Sequence, residues 1–223
     1  MTLRLYGTRG APAAVVTSGD GGWIHLGPVI ARILSAEGWF VVGFDAKAYL
    51  ASFTDGARTL ASADVPADYV ALTDFAAQAA PGPPLLLGVS EGAGLSVLAA
   101  AEPQVQRRIA GVVAVGLPDK NELGWRFRDS VIYMTKKTPH EPLFSAREHV
   151  SRVSPVPLAL FRSLRDEFVP AEESEAIWAA AREPRRLWAI DAADHRFSDK
   201  QPELRRGLLE AIEWIAQQQR AVR

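Results

Sequence analysis

One serine in this chain has the surroundings of a nucleophile. Ser90 is the centre of Gly88-Val89-Ser90-Glu91-Gly92. A serine hydroxyl attacks a carbonyl carbon only when a base takes its proton and donors hold the negative oxygen that forms. Two glycines flanking a serine arise often by chance, so the setting decides. Here the apolar run Leu85-Leu86-Leu87 leads in and the small-residue stretch Gly92–Ala99 leads out. Strand, tight turn and helix is the setting in which such a turn lifts the hydroxyl clear of a sheet. The helix N-terminus adds positive potential beside a developing oxyanion. A turn that is glycine-rich only for packing is the competing reading.

The chain has four histidines to supply a base. Only His195, in Asp191-Ala-Ala-Asp194-His195-Arg196-Phe197, follows the last strand-like run; His25, His140 and His149 read as structural. Where such a serine works in an α/β sheet, the acid precedes the base in chain order. Asp166 stands in Arg165-Asp166-Glu167-Phe168-Val169-Pro170, after the run Val156–Phe161, and would hold the imidazole in its useful tautomer. Glu167 and Asp119 are rivals, and Asp194 adjoins the histidine too closely to reach its far nitrogen. Two backbone N–H groups are candidates for the oxyanion: that of Glu91, and that of Asp20 in the loop Ser18–Trp23. That loop does not end in Gly-Lys-Ser/Thr, which argues against a phosphate cradle. Nothing in the pattern implies a metal or a cofactor.

These residues need a scaffold that brings distant segments together. Ala14–Ser18, Trp39–Phe44, Pro84–Val89, Ile109–Gly116, Val156–Phe161 and Leu187–Ile190 are short, near-continuous apolar runs. Such runs indicate strands covered on both faces, as in a parallel sheet. Leu26–Glu37, Pro66–Ala80, Gly92–Glu102, Ala171–Arg182 and Pro202–Gln219 carry apolar residues at helical spacing between them. The alternation predicts a doubly wound α/β sheet. Residues 117–150 break it. There Leu123, Trp125, Phe127, Val131 and Tyr133 fall on odd positions, with Arg126 and Arg128 on even ones. This fits an extra half-exposed strand or flap, and equally an ordinary long connection.

With 223 residues, a single domain is expected. Lys plus Arg (25) nearly balances Asp plus Glu (26), and the densest basic clusters are no more than pairs, so no nucleic-acid partner is expected. There are no cysteines, which excludes disulfides and thiolate chemistry. No apolar run reaches membrane-spanning length, and the opening residues lack a charged segment followed by an apolar one. The expected location is therefore cytoplasmic, or periplasmic for a chain relieved of its leader.

The loop Ser18-Gly19-Asp20-Gly21-Gly22-Trp23, the segment Trp39–Tyr49 (WFVVGFDAKAY), the serine turn and Asp194-His195-Arg196-Phe197 occur in this order. In that, the chain resembles the VirJ/AcvB family of bacterial α/β hydrolases. The resemblance implies an α/β-hydrolase fold: a mostly parallel sheet, helices on both faces, and a small cap or none. By it, Ser90, Asp166 and His195 match the positions of a serine hydrolase triad. It further implies a small-molecule or lipid-linked ester as substrate, with aminoacyl esters of cationic head a specific case. The family's turn commonly reads Gly-Tyr-Ser-Phe-Gly, whereas Val89 and Glu91 stand here. The side chains of Asp20 and Glu91 could hold an ammonium group, although an acid at a helix N-terminus or in a turn has ordinary structural reasons. Trp23 and Tyr49, at the ends of the first two sheet strands, are expected to line the pocket; plain packing competes for each. Cleavage of carboxylic esters is the expected activity. The alternatives are an amidase or peptidase using the same residues and a non-catalytic binding or chaperone-like protein.

Overall fold

The computed structural model describes residues 2–126 and 141–221. In chain order it runs β1 (Arg4–Tyr6), β2 (Ala13–Thr17), α1 (Leu26–Ala36), β3 (Phe40–Phe44), α2 (Ala46–Phe53) and α3 (Val65–Ala77). Next come β4 (Leu85–Val89), α4 (Glu91–Ala100), a short α5 (Pro103–Gln106) and β5 (Gly111–Val115). Beyond these lie β6 (Lys120–Glu122), β7 (Leu143–Ser145), α6 (Ala146–Val150), β8 (Leu158–Ser163), α7 (Ala171–Ala180), β9 (Arg185–Ile190) and α8 (Gln201–Ala221).

Seven strands form one sheet in the order β1-β3-β2-β4-β5-β8-β9. β1 pairs antiparallel with β3, and the other neighbours pair in parallel. Every residue of β2, β3, β4 and β5 is buried, which is why these strands read as unbroken apolar runs. Alternate side chains supply opposite faces. Val15, Val42, Leu86 and Val112 enter one core, together with Tyr49, Tyr69 and Ile177. Val16, Val41, Leu87 and Val113 enter the other, with Ile30 of α1 and Leu208 of α8. α8 is long enough to cover its side through one stripe, with Leu204, Leu208, Ala211 and Ile215 buried at helical spacing. α4 is buried along all ten residues, so no polar face had to be accommodated there.

Two elements depart from the sequence reading. β1 is only three residues and half-exposed, too short to show periodicity. Only Asp45 separates β3 from α2, because its carboxylate accepts the Ala48 N–H at 3.1 Å and starts a helix at once. In the region 117–150, β6 and β7 pair antiparallel into a separate two-stranded sheet. Leu123 is buried just after it. Phe127, Arg128, Val131, Tyr133 and His140 lie outside the described residues. No helix among the described residues is long and apolar enough to cross a membrane.

Candidate active site

The C-terminal ends of β2, β4, β8 and β9 converge on one cleft of about 390 Å³, where ligands enter sheets of this kind. Ser90 stands at the mouth of β4. Its backbone has φ 52° and ψ −121°, a conformation that L-residues rarely adopt. Two glycines make it feasible. A Cβ on Gly88 would lie 2.2 Å from the Gly92 carbonyl oxygen, and one on Gly92 would lie 2.3 Å from the Ser18 carbonyl oxygen. The turn is fixed from both sides: the Ser90 N–H donates to Val115 O at 2.9 Å, and its carbonyl accepts from Ala93 N–H at 2.8 Å.

The loop after β2 closes over this turn. It is held by the residues that recur in the motif. Ser18 Oγ accepts the Ala46 N–H at 3.1 Å, and the second Asp45 oxygen accepts the Trp23 N–H at 3.2 Å. Gly22, at φ +92°, supplies the reversal between them. The N–H groups of Asp20 and Glu91 donate to no acceptor among the described residues. Glu91 is the first residue of α4, and such N–H groups have no partner within their own helix.

His195 and Asp166 meet from the loops after β9 and β8. His195 Nδ1 lies 2.7 Å from Asp166 Oδ2, with both side chains nearly inaccessible. The other Asp166 oxygen accepts the N–H groups of Phe168 and Val169 at 2.9 and 2.8 Å. A carboxylate only accepts, so the proton sits on Nδ1 and the lone pair on Nε2. That Nε2 atom is buried and has no hydrogen-bond partner among the described residues. Ser90 and His195 line the same cleft.

The rival acids are occupied elsewhere. Glu167 accepts the backbone N–H of His195 at 2.8 Å, so it anchors the loop and not the ring. Asp194 accepts the N–H groups of Arg196 and Ser198 within its own turn. Asp119 accepts the Arg147 N–H at 3.0 Å, at the start of α6.

Two expected pocket residues are not in the cleft. Trp23 turns its ring onto β3, into the space left by Gly43, where a Cβ would lie 2.4 Å from the indole; its Nε1 donates to Tyr6 Oη at 2.9 Å. Tyr49 is carried back under the sheet because α2 starts so early. It is 2% exposed, donates to Asp68 at 2.6 Å, and borders a different cavity with Phe44 and Phe53. Burial and the Asp68 carboxylate raise its pKa beyond the ordinary tyrosine range.

The cleft is lined instead by Ile24, His25, Lys47, Trp125, Phe168 and Arg196. Ile24 and Phe168 form an apolar rim, 51% and 40% exposed, and Phe168 meets the His195 ring edge-on at 5.5 Å. Lys47 stands 4.2 Å over the Trp125 ring. His25, read from sequence as structural, faces the cleft, and its pKa is lowered by burial and by Arg196. His149 lies apart, edge-on to Phe144. Gly116 is a residue that sequence reasoning missed. A Cβ there would lie 2.6 Å from His195 Cε1, so only glycine leaves room for the ring. Its signal was weak: one glycine at the end of an apolar strand.

Comparison with known proteins bears on this geometry. The family model described as bacterial virulence protein (VirJ) matches residues 12–122. That span holds the β2 loop, Asp45 and the Ser90 turn and ends before Asp166. The uncharacterized protein YfhR of Escherichia coli K12 is 36% identical over 59 residues, 26% of this chain and 21% of that protein. The match thus spans about a fifth of that relative's length. Among solved structures, the α/β hydrolase GrgF of Penicillium sp. sh18 superposes with a TM-score of 0.69 at 15% identity, over 95% of this chain and 93% of that one. An esterase of Pyrococcus furiosus superposes with a TM-score of 0.68 at 18% identity, over 92% and 82%. At these identities the likeness is one of fold.

Proposed function

We propose that this chain, which resembles the VirJ family over residues 12–122 and shares its fold with α/β hydrolases, hydrolyses carboxylic esters through an acyl-enzyme on Ser90. One observation carries the reading: an imidazole, held by Asp166, keeps a buried and unpartnered Nε2 in the cleft that the strained Ser90 turn also lines. A lone pair in that condition is the base a serine needs.

In this mechanism Ser90 Oγ attacks the ester carbonyl carbon while its proton passes to His195 Nε2. Asp166 stabilises the imidazolium. The N–H groups of Asp20 and Glu91 hold the oxyanion. The C–O bond to the alcohol then breaks, and His195 returns the proton to the leaving oxygen. Water, deprotonated by His195, attacks the acyl carbon and frees Ser90.

The ester class is a finer part of the same proposal. Small or lipid-linked esters fit a cleft whose rim, Ile24 and Phe168, is apolar and open. Aminoacyl esters are included because Asp20 lines the cleft.

A fluorophosphonate probe is expected to label the wild-type protein and to leave Ser90→Ala unlabelled; equal labelling of the two sinks the mechanism. Asp166→Asn is expected to lower kcat about 10⁴-fold, because the amide permits the wrong imidazole tautomer. Kinetics on p-nitrophenyl esters measures it, and a loss under about tenfold removes Asp166 from the role. Labelling of Ser90 without turnover of any short, long or aminoacyl ester favours a binding protein on this fold.

A further inference from the structure

In the reaction above Glu91 contributes only its backbone N–H. Glu91 is one of the residues that border the cleft, its side chain is buried at 6% exposure, and Oε1, itself enclosed, has no hydrogen-bond partner among the described residues. A buried polar atom without a partner is costly and uncommon in a folded protein. At the wall of a substrate cleft it marks a place where a ligand supplies the partner.

The surroundings say which kind of partner. The backbone N–H of Glu122, on β6, is near enough to the Glu91 carboxyl to favour its charged form, the smallest of the influences on it. The carboxyls of Asp20, in the loop after β2, and of Glu122 lie near enough to oppose a charge on it. His25, Lys47, His195 and Arg196 also border the cleft, but none forms an ion pair with Glu91 among the described residues. A carboxylate taken out of water and set among other acids is unfavourable in its charged form. Burial first, then Asp20 and Glu122, push the Glu91 pKa well above the ordinary carboxylate range. A protonated carboxyl group is a hydrogen-bond donor.

Resting on the ester-hydrolase reading, we propose that Glu91 is a specificity-determining residue whose carboxylic acid donates from Oε1 to an acceptor oxygen on the substrate, close to the scissile ester. Esters bearing an ether, hydroxyl or second carbonyl oxygen near the acyl carbon are then preferred over plain alkanoates. The preference has a pH sign. The donor exists while Glu91 holds its proton and disappears as pH rises through its pKa in the folded protein, because the ionised group only accepts.

The test compares p-nitrophenyl pentanoate with its oxygen-for-methylene analogues, p-nitrophenyl ethoxyacetate and p-nitrophenyl 3-methoxypropanoate. Inherent differences in reactivity cancel when one pair is followed across proteins. The wild-type ratio of kcat/KM, oxygen-bearing over plain, is expected to fall about tenfold in Glu91→Leu for at least one analogue, the worth of one hydrogen bond. Glu91→Gln, which keeps a donor, is expected to hold the ratio within about threefold. The wild-type ratio should decline with rising pH and the Glu91→Gln ratio should not; should Glu91→Leu fail to fold, this arm decides. Equal ratios in all three proteins overturn the proposal, as does a Glu91→Gln ratio that falls along with Glu91→Leu, or a wild-type ratio independent of pH. Fluorophosphonate labelling of every variant separates the two readings. With labelling intact, such a result removes only the role of Glu91. With neither labelling nor turnover, the Ser90 mechanism falls and takes this proposal with it.

Discussion

Ser90 and His25 stand at the N-termini of the helices that follow β4 and β2, with nearly the same backbone angles: φ 52° and ψ −121° for one, φ 54° and ψ −119° for the other. Each is followed two residues later by glycine, Gly92 and Gly27. The resemblance stops at packing. Around Ser90, added Cβ atoms on Gly88 and Gly92 would meet backbone at 2.2 and 2.3 Å. Around His25, an added Cβ on Gly27 would come only to 3.3 Å, against the Ser18 side chain, and the preceding Ile24 is 51% exposed. Strained residues persist where their surroundings over-determine them. At Ser90 those surroundings are backbone on several sides, which cannot give way. At His25 they are a loop tied down by Trp23 and Asp45. The first turn holds an atom in place; the second shapes a rim.

Substitutions can break this contrast or sharpen it. The largest difference should appear in catalysis. Ser90→Ala is expected to lower kcat/KM by about 10⁴-fold or more, and His25→Ala by less than about tenfold. Steady-state kinetics on p-nitrophenyl esters decides, and comparable losses at the two positions would make the second turn part of the chemistry. A smaller difference is expected in stability. Gly92→Ala forces a methyl group into two backbone carbonyls and should cost about 2 kcal/mol or more, whereas Gly27→Ala should stay within about 1 kcal/mol of wild type. Urea unfolding at constant m-value measures both. Equal costs would mean the Ser90 turn yields as readily as its counterpart. The smallest effect belongs to His25→Gly. The histidine side chain makes no cap hydrogen bond, so glycine removes strain without losing one, and stability should rise by about 0.5–1 kcal/mol. A fall in stability instead would assign the His25 side chain a packing role at the cleft.

How far the sequence could be read follows from the same physics. The central strands were legible because burial on both faces leaves nothing but apolar residues, as in β4 and β5. A mostly parallel sheet with helices on both sides follows from strands and helices in alternation, whereas the strand order β1-β3-β2-β4-β5-β8-β9 comes from the structure. β1 was not legible, since three half-exposed residues carry no period. The positions of Trp23 and Tyr49 were misread for a different reason. Both were placed by where a strand ends, and both are decided by what comes one step later. Asp45 starts α2 immediately, which swings Tyr49 under the sheet. Gly43 leaves a hole on β3 that only a contact between distant segments could fill, and Trp23 fills it. An isolated glycine inside an apolar strand was the available hint of such a close approach. In the candidate site, residue types and chain order singled out Asp166 and His195, whose side chains the structure sets 2.7 Å apart. The supporting shell stayed hidden. That Glu167 holds the His195 backbone and Gly116 clears space for its ring depends on loops from three strands meeting, and no local pattern encodes it.

The sheet order carries one more consequence, in the time domain of synthesis. The Ser90 turn rests on β2, β4 and β5, all made early, while Asp166 and His195 follow β8 and β9, which are made late and occupy one edge of the sheet. On the proposed mechanism, a nascent chain emerging from a ribosome would carry its nucleophile before it carries its base. Covalent capture of Ser90 by a reactive phosphonate would then double as a clock, reporting the moment at which the final two strands dock.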